Sequence, residues 1–125
     1  MSDRAIEAAN RAARYTNVEL NLESGRRSKR GERLMTLLAQ LTGAEDALVV
    51  NNCAAATVLV LQAIAAGQEV IVSRGQLVEI GGGFRLPDVF RAAGVTLCEV
   101  GPTNRTYLQD YEAAVNDETG AVIGV

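Results

Sequence analysis

The spacing of apolar positions changes several times along the chain, and each change predicts a different element. Leucines recur at helical intervals over residues 34–41, which predicts a helix that residues 42–43 (Thr-Gly) end. Residues 3–14 are rich in alanine and predict a shorter helix. Between these two helices, residues 18–22 alternate apolar and polar side chains, a pattern typical of a half-exposed strand or arm.

From residue 47 onward, short apolar runs alternate with helical segments. Buried strands are predicted at residues 47–50, 70–72, 95–100 and 121–125, and helices at residues 53–66, 87–93 and 108–115. A glycine-rich loop is expected at residues 75–83. The alternation favours an α/β fold with three layers, in which a mainly parallel sheet has helices on both faces.

The domain organisation predicted from this pattern is a single domain in two parts. Residues 1–31 are expected to form an N-terminal helix, an arm and a basic turn, and residues 32–125 the alternating core. The last predicted strand has no helix after it, although a buried parallel strand is covered on both faces. We therefore expect residues 1–125 to be a fragment of a larger domain.

Charge is distributed unevenly along the chain. Hydrophobic residues make up 48% and charged residues 22%, which excludes a disordered chain, and the net charge is −3. Residues 1–33 nevertheless hold eight basic side chains against five acidic ones, and five of the eight lie within residues 26–33. The basic turn, residues 25–31, is either part of an ordinary solvated turn and helix start or a site for phosphate or another polyanion, since guanidinium groups match phosphate oxygens.

Two residue types are scarce, which limits the chemistry. The sequence has no histidine, so it holds no histidine general base or histidine metal site, and Lys29 is its single lysine. The two cysteines, Cys53 and Cys98, lack the spacing of a CxxC motif, which favours a buried, reduced pair in a cytosolic protein. No apolar run approaches the roughly 20 residues of a membrane span, so a membrane is not expected as a partner. A metal is not expected either, since the sequence has no histidine.

The candidate ligand site lies where the predicted strands end. Ligands of open α/β sheets bind beyond the carboxyl ends of the strands. Residues 51–56 pass from a predicted strand into a helix N-terminus, where small side chains leave the backbone amides accessible and the helix dipole favours an anion. The segment matches neither GxGxxG nor a P-loop, so a single phosphate monoester fits better than a dinucleotide or a nucleoside triphosphate. The alternative is that Asn51 or Asn52 only caps the helix.

Two further loops belong to the same edge of the predicted sheet. Residues 73–83 place Arg74, Gln76 and Glu79 there, where loops often carry function. Residues 101–106 favour a proline turn that a threonine or asparagine caps.

Several motifs occur in a fixed order along the chain. They are residues 42–47 (TGAEDA), 50–56 (VNNCAAA), 72–82 (VSRGQLVEIGG), 84–89 (FRLPDV) and 99–106 (EVGPTNRT), followed by Asp110-Tyr111. With these motifs the chain resembles the bacterial selenocysteine synthases, the L-seryl-tRNA(Sec) selenium transferases, from about Tyr15 onward. The resemblance implies the large domain of a pyridoxal-phosphate enzyme of fold type I, the aspartate-aminotransferase-like fold.

The resemblance also implies an activity. Family members convert seryl-tRNA(Sec) to selenocysteinyl-tRNA(Sec) on pyridoxal phosphate: loss of water from the serine gives a dehydroalanyl intermediate, to which selenium from selenophosphate adds. They are cytoplasmic homo-oligomers built as rings of dimers. The family's Schiff-base lysine lies downstream of Val125 and Lys29 falls in a different motif, so no catalytic residue is expected in this chain, which alone should be inactive.

The resemblance assigns roles to individual residues. Cofactor binding is implied for Asn52, Cys53 and Ala54 around the phosphate and for Gln76 and Glu79 near the pyridine ring; substrate or phosphate binding for Arg27, Arg30 and Arg74; and a subunit interface for Thr103 and Asp110. The chain departs from the family at Gln76, Cys53, Ser28 and Pro102, where the family usually has Glu, Asn, Gly and Thr.

Two other functions are compatible with the residues. One is a related pyridoxal-phosphate lyase that acts on a small amino acid or amino sugar, although the pattern of residues 51–56 favours selenium transfer. The other is a non-catalytic α/β module that binds a phosphate-bearing ligand or a partner protein, which the absence of histidine and of a usable lysine supports.

Overall fold

A computed structural model describes all of residues 1–125. The chain forms two compact units, Met1–Val49 and Val50–Val125. The first unit contains the helices α1 (Asp3–Ala12) and α2 (Glu32–Thr42), which confirms both predicted helices. The hydroxyl of Ser2 accepts a hydrogen bond from the amide of Ala5 and caps α1.

The segment between α1 and α2, predicted as a half-exposed strand or arm, contains a turn and a single bridge but no strand. Residues 18–22 form a single antiparallel bridge, between Leu20 and Arg27. The carboxamide oxygen of Asn21 accepts hydrogen bonds from the backbone amides of Glu23 and Ser24, and this Asx turn reverses the chain. Because the chain reverses within a few residues, a longer antiparallel ladder does not form.

The second unit has the predicted alternation of helices and strands. Its elements are α3 (Cys53–Ala65), β1 (Glu69–Ser73), β2 (Glu79–Ile80), β3 (Phe84–Arg85), α4 (Leu86–Ala93), β4 (Thr96–Val100), α5 (Leu108–Ala114) and β5 (Thr119–Ile123). The strands β4, β1 and β5 lie side by side in that order and are all parallel. The α/β fold class and the parallel sheet are therefore confirmed.

The central strand β1 is buried from both faces. Val70, Ile71 and Val72 have no exposed surface, and side chains alternate between the faces of a strand. Val70 and Val72 pack in one core with residues of α3 and α4, among them Leu61 and Phe90. Ile71 consequently points to the opposite face.

The two crossovers of the sheet run in opposite directions. The chain passes from β1 to β4 through α4, and then from β4 back across β1 to β5 through α5. Since parallel crossovers are right-handed, α5 lies on the face opposite α4. The sheet therefore has helices on both faces, as expected.

Two further predictions, at residues 47–50 and 75–83, were wrong. Residues 47–50 form no strand, and Leu48 and Val49 are exposed. The glycine-rich loop at residues 75–83 contains structure instead: a 3₁₀ turn at Arg74–Gln76, and the strand β2, which pairs with β3 in an antiparallel hairpin.

Candidate functional site at the carboxyl edge of the sheet

The N-terminus of α3 has the cap that the sequence predicts. Asn52 has an extended backbone, and its carboxamide oxygen accepts a hydrogen bond from the amide of Ala55 at 2.8 Å. The backbone oxygen of Asn52 accepts from the amide of Ala56 at 3.1 Å. Asn52 therefore satisfies the third and fourth amides of the helix and ends the preceding extended segment.

The first two amides of α3 remain unpaired. The backbone N–H groups of Cys53 and Ala54 make no hydrogen bond within the chain. The side chain of Asn52 accepts through its oxygen, so its NH₂ group is also free to donate. Three small neighbouring residues thus present hydrogen-bond donors at the positive end of a helix dipole, which suits an anion.

This helix end lies at the same edge as the carboxyl ends of the strands. A Cβ built on Gly120, near the start of β5, would come within 2.8 Å of the Cβ of Ala65, in the last turn of α3. The C-terminus of α3 thus lies beside the beginning of the strand. Since the helix is followed by a short turn and β1, it runs antiparallel to the sheet, and its N-terminus reaches the carboxyl edge.

Arg74 joins the ends of β1 and β4. Its Nε donates to Oε2 of Glu99 at 2.9 Å, and its Nη1 donates to the backbone oxygen of Gly101 at 3.0 Å. Both side chains are partly exposed, so the ion pair itself contributes little to stability. Its main effect is to orient the guanidinium group at the sheet edge.

The loop at residues 101–106 packs closely against the end of β1. The hydroxyls of Ser73 and Thr106 are 2.6 Å apart and hydrogen-bonded, and Ser73 is buried. A Cβ on Gly75 would lie 2.5 Å from the backbone oxygen of Thr103, so only glycine fits there. These contacts fix the loop relative to the 3₁₀ turn that carries Arg74 and Gln76.

Gln76 and Glu79 have different surroundings. Oε1 of Gln76 accepts from the backbone amide of Val125 at 3.3 Å, which connects the 3₁₀ turn to the end of β5. Glu79 lies in the exposed hairpin and pairs with Arg85 at 2.9 Å. Gln76 thus contacts the segment that follows β5, whereas the hydrogen bond of Glu79 lies within the hairpin.

The basic turn of the first unit is organised around one carboxylate. Arg27 donates to Oε2 of Glu19 through Nη2 at 2.7 Å and through Nε at 3.2 Å, while Arg30 donates to Oε1 at 2.6 Å. The hydrogen bonds from Arg27, and then those from Arg30, lower the pKa of Glu19 below its ordinary value. The turn therefore has local order and is more than a run of solvated charges.

The two residues expected at a subunit interface have local structural surroundings. Asp110 caps α5, because its Oδ2 accepts a hydrogen bond from the amide of Tyr107 at 2.8 Å. Thr103 is exposed, and its backbone oxygen forms the close approach to Gly75.

The cysteines do not form the buried pair that the sequence predicted. Cys53 is exposed because it occupies the first turn of α3, and Cys98 in β4 is half-buried. Burial, and then the negative charge of Glu69, raise the pKa of the Cys98 thiol. No three His, Cys, Asp or Glu side chains lie close enough together to hold a metal ion. None of the helices has the length and apolar character needed to cross a bilayer.

Sequence reasoning missed the residues that hold the site residues in place. No role was predicted for Glu19, Glu99 or Ser73. The partners of Glu99 and Ser73 are distant in sequence, whereas those of Glu19 lie in the nearby basic turn. The only available signal was for Glu19, a carboxylate in an alternating segment next to the basic turn.

A family model described as L-seryl-tRNA selenium transferase matches residues 1–125. The chain belongs to this family. Relatives named L-seryl-tRNA(Sec) selenium transferase include one from Solidesulfovibrio magneticus, 56% identical over 97% of the chain, and one from Geotalea daltonii, 60% identical over 89%. A third, from Carboxydothermus hydrogenoformans, is 51% identical over 100%.

The chain spans about a quarter of the length of these selenium transferases, between 24% and 27%. Among solved structures, a D-glucosaminate-6-phosphate ammonia-lyase superposes with a TM-score of 0.69 at 22% sequence identity. That superposition covers 98% of this chain and 35% of the lyase. At this identity the likeness supports the shared fold and nothing more specific.

Proposed function

We propose that the protein containing this chain converts L-seryl-tRNA(Sec) to selenocysteinyl-tRNA(Sec), with selenophosphate as the selenium donor and pyridoxal phosphate as the cofactor. The observation that carries the proposal is the identity of 51–60% to relatives named for this reaction, over 89–100% of the chain. Because the chain spans about a quarter of those relatives, it is proposed to supply part of the active site and not to turn over alone.

The N-terminus of α3 is proposed to bind the phosphate of pyridoxal phosphate. The free amides of Cys53 and Ala54 and the NH₂ group of Asn52 are donors, and no bulky side chain separates them. A phosphate monoester carries acceptor oxygens and negative charge, which matches such donors at a helix N-terminus. The residues present therefore fit the group.

Gln76 and Glu79 are proposed to lie near the pyridine ring. Oε1 of Gln76 is held by the amide of Val125, so its NH₂ group is the part left to donate a hydrogen bond. A carboxamide does not release a proton, and Gln76 can therefore orient a ring but cannot act as an acid. When bound, pyridoxal phosphate supplies an electron sink for loss of the serine hydroxyl, while the protein binds and orients it.

The three arginines are proposed to bind anionic parts of the substrates. Arg74 donates to Glu99 through Nε and to Gly101 through Nη1, and it retains further N–H groups for a ligand. Arg27 and Arg30, both mostly exposed, likewise retain free N–H groups beside Glu19. Phosphate oxygens of the tRNA or of selenophosphate suit such forked donors.

A homo-oligomer, arranged as a ring of dimers in the cytoplasm, is part of the proposal. Thr103 is exposed and can contact a second subunit directly. Asp110 is partly used as the cap of α5, so its contribution to an interface is proposed to pass through the orientation of that helix.

The experiment that tests the function is a chimera. The segment of the Geotalea daltonii enzyme that matches this chain is replaced by the chain, and formation of selenocysteinyl-tRNA(Sec) from seryl-tRNA(Sec) and selenophosphate is measured. We expect the chimera to be active and the isolated chain to be inactive.

Two results would contradict the proposal. One is a chimera that folds and binds pyridoxal phosphate but forms no selenocysteinyl-tRNA(Sec). The other is a chimera that releases ammonia from D-glucosaminate 6-phosphate in place of transferring selenium, since the lyase alternative has only the shared fold in its favour.

A further inference from the structure

The geometry points to Glu19 as a positioning residue, which holds Arg27 and Arg30 side by side so that together they bind one oxyanion of the phosphate class. This role rests on the proposed function of Arg27 and Arg30 as phosphate-binding residues. It gives a role to Glu19, for which none is proposed above, and it explains how two flexible arginine side chains form one site.

The first observation is how the hydrogen bonds are divided. One oxygen of the Glu19 carboxylate accepts from Nε and Nη2 of Arg27, and the other oxygen accepts from Nη2 of Arg30. The single carboxylate thus bridges both guanidinium groups. Each arginine keeps further N–H groups that have no partner in the chain, and these are the donors available to a ligand.

The second observation is the difference in exposure. The side chain of Glu19 is 32% exposed, whereas those of Arg27 and Arg30 are 85% and 76% exposed. The backbone around Glu19 is also fixed, because its carbonyl accepts from the amide of Ser28 at 2.8 Å and Leu20 pairs with Arg27. Glu19 is therefore the anchored member of the cluster, and the arginines are gathered onto it.

The third observation is the charge that remains. Two guanidinium groups outweigh one carboxylate, and Arg26 and Lys29 in the same turn form no salt bridge. An open groove of about 830 Å³ borders the turn. Arg26, Arg27 and Lys29 line it together with the acidic Glu32 and Asp46, and Arg30 is not part of its lining. The cluster is thus positive beside a space large enough for a phosphate group.

The position of the arginines affects the affinity for a ligand. If they are mobile before binding, the ligand must order them, and this costs conformational entropy. A free arginine side chain loses much rotamer entropy when a ligand immobilises it, and pre-orientation removes part of that cost. If the Glu19 carboxylate instead occupied the position of the ligand, its removal would strengthen phosphate binding. The anchored position of Glu19 favours the positioning role.

The test compares two substitutions that change the net charge equally. Glu19→Gln removes the carboxylate that bridges the arginines. Glu23→Gln removes a carboxylate of the preceding Asx turn that forms no salt bridge. Inorganic phosphate is titrated into the full chain at constant ionic strength, and the side-chain Nε–Hε resonances of Arg27 and Arg30 are followed by NMR.

Long-range electrostatics alone predicts that both substitutions strengthen phosphate binding, because each removes negative charge. Positioning predicts that Glu19→Gln weakens it about fivefold, whereas Glu23→Gln leaves it equal or slightly stronger. Glu19→Asp, which keeps the charge but shortens the reach, is expected to give an intermediate affinity. Backbone amide shifts of residues 20–27 verify that the turn persists in each variant.

Equal or stronger phosphate binding by Glu19→Gln would overturn the inference, as would a wild-type chain in which neither arginine responds to phosphate. The same variants in the chimera separate this question from the proposed function. If the wild-type chimera forms no selenocysteinyl-tRNA(Sec), the proposed function fails, but the phosphate titration still decides the role of Glu19.

Discussion

The hydroxyls of Ser73 and Thr106 form a hydrogen bond of 2.6 Å between the end of β1 and the loop that follows β4. Ser73 is buried, so its hydroxyl has little access to water and depends on this partner. The bond holds the 101–106 loop against the segment that carries Arg74 and Gln76. The carboxyl edge is thus fixed in part by a pair for which no binding role is proposed.

Thr106→Val should destabilise the chain by about 1–2 kcal/mol, because valine keeps the shape of threonine but leaves the buried Ser73 hydroxyl unpaired. The free energy of unfolding in urea, followed by circular dichroism, measures the loss. Thr103→Val is the matched control, since the Thr103 hydroxyl makes no hydrogen bond within the chain. Equal stability of the two variants would show that the hydroxyl pair contributes nothing.

Gly75→Ala should cost about 1–3 kcal/mol, because the new methyl group meets the backbone oxygen of Thr103 at 2.5 Å and a backbone oxygen cannot move without shifting its loop. Gly124→Ala adds the same group where no atom lies within 4 Å, and it should be close to neutral. Thermal melting of both variants decides the point. A Gly75→Ala chain as stable as Gly124→Ala would contradict the close approach.

Two substitutions of Asn52 should separate its contribution to stability from its contribution to anion binding. Asn52→Ala removes the cap of α3 and should cost about 1 kcal/mol. Asn52→Asp keeps a capping oxygen and should preserve stability, but its negative charge should weaken binding of a phosphate ligand. Melting temperature and pyridoxal-phosphate affinity are the two measurements, with Asn51→Ala as control. If Asn52→Asp bound the ligand as tightly as wild type, the phosphate site would lie elsewhere.

The carboxyl of Glu19 should titrate below its ordinary pKa of 4.5, because Arg27 and then Arg30 stabilise the charged form. Its contribution to stability is therefore present above pH 4.5 and is lost as the pH falls through the lowered pKa of the folded chain. NMR titration of the Glu19 Cδ resonance measures this pKa. Arg27→Gln should return the pKa toward 4.5 further than Arg30→Gln does, and the reverse order would contradict the assignment.

The two cysteines should differ in reactivity. Cys53 is exposed, whereas burial and Glu69 raise the pKa of Cys98 and so lower its thiolate fraction at pH 8. A disulfide reagent should therefore modify Cys53 about tenfold faster or more. The variants Cys53→Ser and Cys98→Ser assign the two phases, and denaturation in urea should make the rates similar. Comparable rates in the folded chain would show that β4 does not protect Cys98.

The sequence predicted the sheet where apolar runs coincided with burial. The run that contains Val70 and Val72 is the central strand, because a parallel strand covered on both faces is apolar at nearly every position. The run at residues 47–50 gives the same signal but forms no strand. A strand is defined by a hydrogen-bonded neighbour, and composition does not show whether one is present.

The cap of α3 was predictable because its hydrogen bond is local. It joins residues three apart, and the sequence predicted Asn51 or Asn52 as the capping residue, of which Asn52 forms the bond. The pairs Arg74–Glu99 and Ser73–Thr106 join segments that meet only after the sheet has formed. The hairpin of β2 and β3 was missed for another reason: its strands have two residues each and are mostly exposed, so they carry no apolar pattern.

The parallel order of the sheet has a consequence for how the chain folds. Glu69 at the start of β1 pairs with Thr96 on one side and with Thr119 on the other, so neither neighbour of the strand is local in sequence. Loop closure must precede both ladders, which makes such a topology slow to form. During synthesis the most buried strand therefore leaves the ribosome before either partner, and its three fully buried residues lack a complete sheet around them until β5 is made.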